Sequence, residues 1–250
     1  MEGQQPKQIE YNKFDKIKLY LTGYGPFSNI EENPSEKTVN YLYENKSSLN
    51  TTNTEILNKQ IFEVTTEYVD NNINKTLDLI KANNTNETTL HIIVSFGVAS
   101  NRKTNTIETL AHNHIYDLIK NEKINNTCPN IYYSKNPIKS MVKGIQLCSK
   151  NGITCKFSND AGTYLCNYIY YKTLNKCKNE SNICSFFIHI PTLTNYNLTC
   201  QEEFFKNFIS VLEDLYLKGN EDKKNKILSY EINDTDEHID SWNMFNKTKK

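Results

Sequence analysis

The sequence predicts an α/β protein built as a three-layer α/β/α sandwich. Two observations carry this. Apolar or alternating runs of strand length recur along the chain, and segments with apolar residues spaced by three and four lie between them. Strands that alternate with helices bury a sheet between two helical layers. Ile17–Thr22 alternates and ends at Gly23, so it is the first strand. A tight loop, Gly23–Phe27, follows. Asn33-Pro34-Ser35-Glu36 is a helix-start signal, and the helix predicted over 35–49 places Val39, Leu42 and Tyr43 on one face. A strand is expected over 54–64, then a helix over 69–81 that carries Ile73, Leu77 and Ile80. Thr89–Ser95 reads as a buried strand ended by Phe96-Gly97. Residues 106–112 fit neither period, and 110–133 reads as an irregular excursion longer than most connections. Beyond Asn136-Pro137 the pattern gives a helix over 139–149, a strand over 153–157 and a helix from Asp160 through Tyr171. A strand over 183–190 and an amphipathic helix over 201–217 complete it.

Residues 1–16 read as a flexible leader, 17–218 as one domain, and the charged, asparagine-rich 219–250 as a mobile or weakly docked tail. The lone Trp242 lies in that tail near Ile239, Met244 and Phe245, which could dock it.

A chain of 250 residues can bury a sizeable core in one domain. The 29 basic residues balance the 29 acidic ones, so no global field favours nucleic acid or an anionic membrane. The longest apolar run, Ser185–Pro191, is strand-sized, whereas a spanning helix needs roughly 20 apolar residues. The polar opening MEGQQPKQIEYNK lacks the apolar stretch of a secretory signal, so a cytoplasmic protein is expected. The seven cysteines are odd in number and none form C-x-x-C, which argues against a disulfide framework and a zinc site. Six of them read as small apolar side chains. Asparagine is unusually common, as expected of codon bias laid over an ordinary fold.

Three segments carry candidate chemistry. Ser158-Asn-Asp-Ala-Gly-Thr-Tyr-Leu-Cys-Asn167 follows a strand and opens a helix, with Cys166 near the helix start. Unpaired N–H groups there stabilise a thiolate and can hold an oxyanion. Taken alone, the cysteine reads as a packed side chain. His189 lies inside the apolar strand Ser185–Pro191. It reads either as a core histidine bonded to a carbonyl or as a general base at a strand end. Glu108 follows a strand and a glycine turn, and alone it reads as a surface charge. His112 and His114 beside it are weak evidence for a metal. Gly23-Tyr-Gly-Pro-Phe27 has neither G-x-G-x-x-G nor a GK[ST] end, so nucleotide binding is rejected.

Together, and in order from about Ile17 to Leu217, these segments resemble the pyroglutamyl peptidase I (pyrrolidone carboxyl peptidase) family of cysteine peptidases. The family's S-x-[D/T]-A-G-x-[FY]-[LV]-C-[ND] is present whole as SNDAGTYLCN. Its T-G-[FY]-x-P-F stands as Thr22–Phe27, followed by Asn33-Pro-Ser35, and its histidine segment as His189-Ile-Pro191. The resemblance implies a mixed central sheet and a catalytic Glu, Cys and His at Glu108, Cys166 and His189. It implies an apolar pocket for the pyroglutamate ring at Tyr24, Phe27, Tyr164 and Leu165, with Val98 near the lactam and Arg102 lining the site. The chain departs from the family pattern at Thr65, Ser100, Asn105 and Thr109, where proline, a small residue, an apolar residue and a basic residue are usual.

The implied function is that of a cysteine exopeptidase. It hydrolyses the amide bond after an N-terminal pyroglutamate through a thioester, with no metal or cofactor. Peptides with that blocked N-terminus are the expected partners, and monomer or homo-oligomer is left open. The alternatives are an N-terminal amidase of altered specificity and an inactive binder of blocked N-termini.

Overall fold

The computed structural model describes residues 7–27, 31–84, 86–116, 121–149, 154–194, 196–230 and 238–239. The chain runs β1 (Lys16–Tyr24), α1 (Pro34–Glu44), α2 (Lys46–Leu49), β2 (Thr54–Phe62), α3 (Thr66–Asn83) and β3 (Thr89–Val98). It continues through β4 (Asn105–Glu108), β5 (Leu110–His112), β6 (Ile115–Tyr116), β7 (Asn121–Glu122), β8 (Ile131–Tyr133), α4 (Ile138–Cys148) and β9 (Cys155–Ser158). It ends with α5 (Leu165–Cys177), β10 (Ile183–Ile190), α6 (Leu198–Tyr216), α7 (Glu221–Leu228) and β11 (His238–Ile239).

Local chemistry starts the helices. Asn33 accepts a hydrogen bond from the Ser35 N–H at the head of α1, and Pro34 follows where its missing N–H costs nothing. Thr65 caps α3 by accepting from the Tyr68 N–H, and Asn197 caps α6 by accepting from the Cys200 N–H. Thr65 stands where the family usually has proline, and its hydroxyl turns that departure into a cap.

The central sheet has the order β11-β9-β4-β10-β3-β1-β2. β2, β1, β3 and β10 are parallel; β4 pairs antiparallel with β10, and β9 and β11 follow the direction of β4. The sheet is therefore mixed, as expected. Every residue of β10 is buried, as a central strand covered on both faces requires. Its alternating side chains serve two cores. Phe186, Ile188 and Ile190 join residues of α1, α4, α6 and α7 on one face. Ile183 and Phe187 join residues of α3 and α5 on the other.

The chain ends differ from the sequence reading. Ile9 and Phe14 are buried, Phe14 bridges to Leu217, and Tyr11 stacks on Tyr216 at 5.8 Å. Three apolar side chains within six positions dock residues 7–15 against the end of α6, which polar neighbours conceal in the sequence. Beyond residue 219, α7 buries Ile227 in the core shared with α4 and α6, and the β11 backbone pairs with β9. Trp242, Met244 and Phe245 lie outside the described residues. Residues 106–112, which show no period, supply β4 and β5, and the excursion that follows makes two short two-stranded sheets.

β4 evades pattern reading because its buried residues are polar. Asn105, Thr106 and Glu108 are each fully buried. The Asn105 amide donates to Gln201 Oε1 at 2.9 Å, and the Gln201 amide donates back to Asn105 Oδ1 at 3.1 Å. This reciprocal pair ties β4 to α6 and satisfies two amides that would be costly alone. Asn105→Leu should lower stability by about 1–3 kcal/mol by orphaning Gln201. Adding Gln201→Leu should recover much of the loss, as read from urea-unfolding midpoints of the two variants.

Candidate active site

β10 lies between β3 and β4 and sets the geometry. His189 is level with Gly97 on β3 and Thr106 on β4. Side chains level across a sheet share a face, and period two adds Glu108 to the same face. This is the face covered by α3 and α5. His189 Nδ1 lies 2.7 Å from Glu108 Oε1. A carboxylate accepts, so Nδ1 carries the proton and Nε2 is left as the acceptor.

Cys166 is the second residue of α5, whose first turn descends onto the sheet at Gly97. A Cβ built at Gly97 would lie 2.8 Å from Cys166 Sγ and 2.7 Å from the Phe187 ring. Only glycine leaves room for the sulfur there. The thiol therefore sits over the strand position level with His189.

The motif leading into α5 builds the approach. Asp160 accepts from the Gly162 N–H at 2.9 Å, and Gly162 takes φ +80, a left-handed conformation that glycine adopts freely. Asn167 then pins the first turn of α5. Its Oδ1 accepts from the His112 N–H at 2.8 Å, and its amide donates to the carbonyls of His112 and His114 at 2.8 and 2.7 Å. The Tyr164 side chain makes no cap hydrogen bond at the head of α5.

The remaining predicted residues divide. The Tyr24 hydroxyl donates to the Leu165 carbonyl at 3.0 Å, and its ring meets Phe62 edge-on. Leu165 packs against the same core face. Phe27 lines an open depression of about 530 Å³ with Gly25, Ile61, Phe62 and Val64. Val98 is level with Ile190, one position out of phase with Gly97 and His189. Tyr164 is 57% exposed. Arg102 is buried, and its guanidinium donates to Glu108 Oε1 at 2.5 Å and to the Asp160 carbonyl at 2.9 Å. Sequence reasoning missed Asn167, Asp160 and Ser158 as builders of the site, although all three stand in the cysteine motif. It also missed Tyr170, one turn beyond Cys166, whose hydroxyl donates to the Glu108 carbonyl at 2.9 Å.

Burial favours the neutral form of both the Cys166 thiol and the His189 imidazole. Burial pushes the Cys166 thiol up to about 12, and the nearby Glu108 charge adds to this; Arg102 and the backbone N–H of Cys166 offset it only in part. The backbone N–H at the helix start does favour the thiolate, as the sequence suggests, and desolvation acts against it. Burial also lowers the His189 pKa. Its hydrogen bond to Glu108 opposes the shift, and the Arg102 charge reinforces it. Among the described residues no cluster of three or more His, Cys, Asp or Glu side chains is placed to hold a metal ion.

A sequence model of one family, described as pyroglutamyl peptidase, matches residues 17–203. The chain belongs to the pyroglutamyl peptidase family. A pyrrolidone-carboxylate peptidase of Oceanobacillus iheyensis is 34% identical over 193 residues, covering 73% of this chain and 87% of its own. One from Clostridium botulinum is 33% identical, covering 70% and 78%. The solved pyrrolidone carboxyl peptidase of Thermococcus litoralis superposes with a TM-score of 0.63 at 25% identity, over 78% of this chain and 92% of that one. A mutant of the Pyrococcus furiosus enzyme gives 0.65 at 26%, over 79% and 99%. The matched span of this pyroglutamyl peptidase family member contains every residue placed above at the site. Two departures from the family pattern are accommodated locally. Ser100 lies in an exposed turn, and Thr109 is held through its backbone, its N–H donating to the Ser158 carbonyl at 2.7 Å.

A thiol held protonated should alkylate slowly. Mass-spectrometric mapping of iodoacetamide labelling should find Cys166 modified more slowly than free cysteine at pH 7.5, with a rate still climbing above pH 9. A rate that levels off below pH 8 would show a resting thiolate instead.

Proposed function

We propose that this chain hydrolyses the amide bond after an N-terminal pyroglutamate, with Cys166 as nucleophile, His189 as acid and base, and Glu108 as the group that orients the histidine. The observation that carries this is the convergence of the thiol of α5, the imidazole of β10 and the carboxylate of β4 around the bare backbone of Gly97, in a member of the pyroglutamyl peptidase family.

The steps are written from the neutral forms that burial favours. As Sγ attacks the pyroglutamyl carbonyl carbon, its proton passes to His189 Nε2. Glu108 steadies the imidazolium that forms. The N–H groups of the first turn of α5, next to Cys166 in the chain, are the proposed donors to the oxyanion. The imidazolium then gives its proton to the leaving amine, the C–N bond breaks and a thioester remains. His189 next takes a proton from water, which attacks the thioester and releases pyroglutamate and the free thiol. The charge pair thus arises only during the reaction, where complementary groups accelerate the step most.

Pyroglutamate carries no free α-amine, so its recognition calls for apolar walls and a few polar groups. Tyr24, which holds the Leu165 carbonyl next to Cys166, and Leu165 are the first candidates for such walls, with Phe27, Val98 and Tyr164 the further ones. Peptides blocked by pyroglutamate are the substrate class. The catalytic unit is 17–218, supported by the docked segments before and after it. None of the seven cysteines forms a disulfide, which suits a reducing compartment, and we place the protein in the cytoplasm. No helix among the described residues is long and apolar enough to cross a membrane.

Purified protein should release the fluorophore from a pyroglutamyl amide and not from the corresponding prolyl amide. Cys166→Ala should reduce kcat at least about 10⁴-fold, and Glu108→Gln roughly 10⁴-fold. No turnover of the pyroglutamyl amide by folded, reduced protein would remove this reading. Base catalysis needs neutral His189, which exists above its pKa, and burial lowers that pKa. The acid limb of kcat/KM against pH should therefore lie below the ordinary histidine value of 6.5.

A further inference from the structure

Arg102 was expected to line the substrate pocket, and it is buried instead, 7% exposed, behind Glu108. Its two guanidinium nitrogens are anchored differently. Nη1 donates to Glu108 Oε1 at 2.5 Å; Nη2 donates to the Asp160 carbonyl at 2.9 Å and reaches Ser158 Oγ at 3.4 Å. Ser158 Oγ in turn accepts from the Asp160 N–H at 2.9 Å. One end of the fork is thus fixed to the turn that leads into α5, and the other grips the oxygen that accepts from His189 Nδ1. Glu108 Oε2 is buried without a hydrogen-bond partner, so the carboxylate is located entirely through Oε1 and its backbone.

We propose that Arg102 is a positioning residue: clamped to the 158–160 turn, it pins the Glu108 carboxylate that carries His189 and balances its charge. The inference rests on the reaction proposed above. Without Arg102, Glu108 would be a buried anion facing only the imidazole. Such an arrangement draws a proton onto the ring and holds it there, which removes the base. Among the described residues, the charged groups acting on His189 or Cys166 are Glu108, Arg102 and Asp160, with the Tyr170 hydroxyl on the Glu108 carbonyl, and Arg102 is the one cation among them. It is also the group that opposes protonation of the ring and favours ionisation of the thiol. A planar fork suits this task because it can grip a carboxylate and a carbonyl at once, which a lysine ammonium does less rigidly.

The test is a pH profile of kcat and KM for pyroglutamyl amide hydrolysis by wild type, Arg102→Lys, Arg102→Met, Glu108→Gln and the Arg102→Met/Glu108→Gln double variant. Arg102→Met should move the acid limb to higher pH. A move of about one unit is a tenfold loss on the acid side. The loss should fall on kcat, and Arg102→Lys should keep the limb near wild type. In the Glu108→Gln background, Arg102→Met should cost less than about twofold, because the charge it balances is gone. The double variant also buries no unpaired charge, so it covers the case in which Arg102→Met does not fold. A rise in KM with an unmoved limb, persisting in the Glu108→Gln background, would overturn the proposal and make Arg102 a substrate contact. If wild type does not turn over the substrate, the reaction reading fails by itself. The proposal then stands or falls on NMR titration of the His189 ring, whose pKa should rise in Arg102→Met and not in the double variant.

Discussion

The site depends on one close approach. A helix that begins over a fully buried sheet can bring its first-turn side chain to the backbone only where a strand residue has no side chain. Gly97 provides that gap, and the sulfur of Cys166 occupies it, with the Phe187 ring closing the other side. The rest of the local architecture keeps the approach in register. Asp160 and Gly162 turn the chain out of β9, and Asn167 stitches the first turn of α5 to the backbone of His112 and His114. Tyr24 reaches from β1 to hold the Leu165 carbonyl. Four segments distant in sequence therefore fix a single sulfur.

Burial that gives this precision also suppresses charge. A desolvated thiol and imidazole both favour their neutral forms, and the Glu108 carboxylate is met by the Arg102 guanidinium. Cysteine peptidases are usually described in terms of a resting thiolate–imidazolium pair. Here desolvation favours the neutral forms, and in the proposed reaction the field of Arg102, Glu108 and the α5 N-terminus is oriented for the charges that form.

Much of this was legible in the sequence because the site is built from contiguous motifs. The segment from Ser158 to Asn167 contains the proposed nucleophile, the turn and the stitch. β1, β3, β10 and α6 announce themselves by period, and so do the two layers of helices they imply. β4 was not legible, because Asn105, Thr106 and Glu108 are polar residues in a strand with both faces covered, and no hydropathy pattern predicts that. The same blindness hid Arg102: a charged side chain reads as surface or ligand-facing until its partner is seen across the sheet. The docking of residues 7–15 was missed because Ile9, Tyr11 and Phe14 are dispersed among polar neighbours.

The asparagine-rich composition acquires a further meaning once the interior is seen. Asn105 is met by Gln201, Asn182 by Asn84, and Asn136 by the Tyr216 hydroxyl. A drift in codon usage can place an amide inside a fold only where a second polar group answers it. Once both are present, neither reverts freely, because the survivor is left buried and unbonded. Such sites behave as ratchets. Composition pushes the sequence in one direction, and pairing then prevents a single-step return, so lineages sharing this bias should carry the two members of each pair together or not at all.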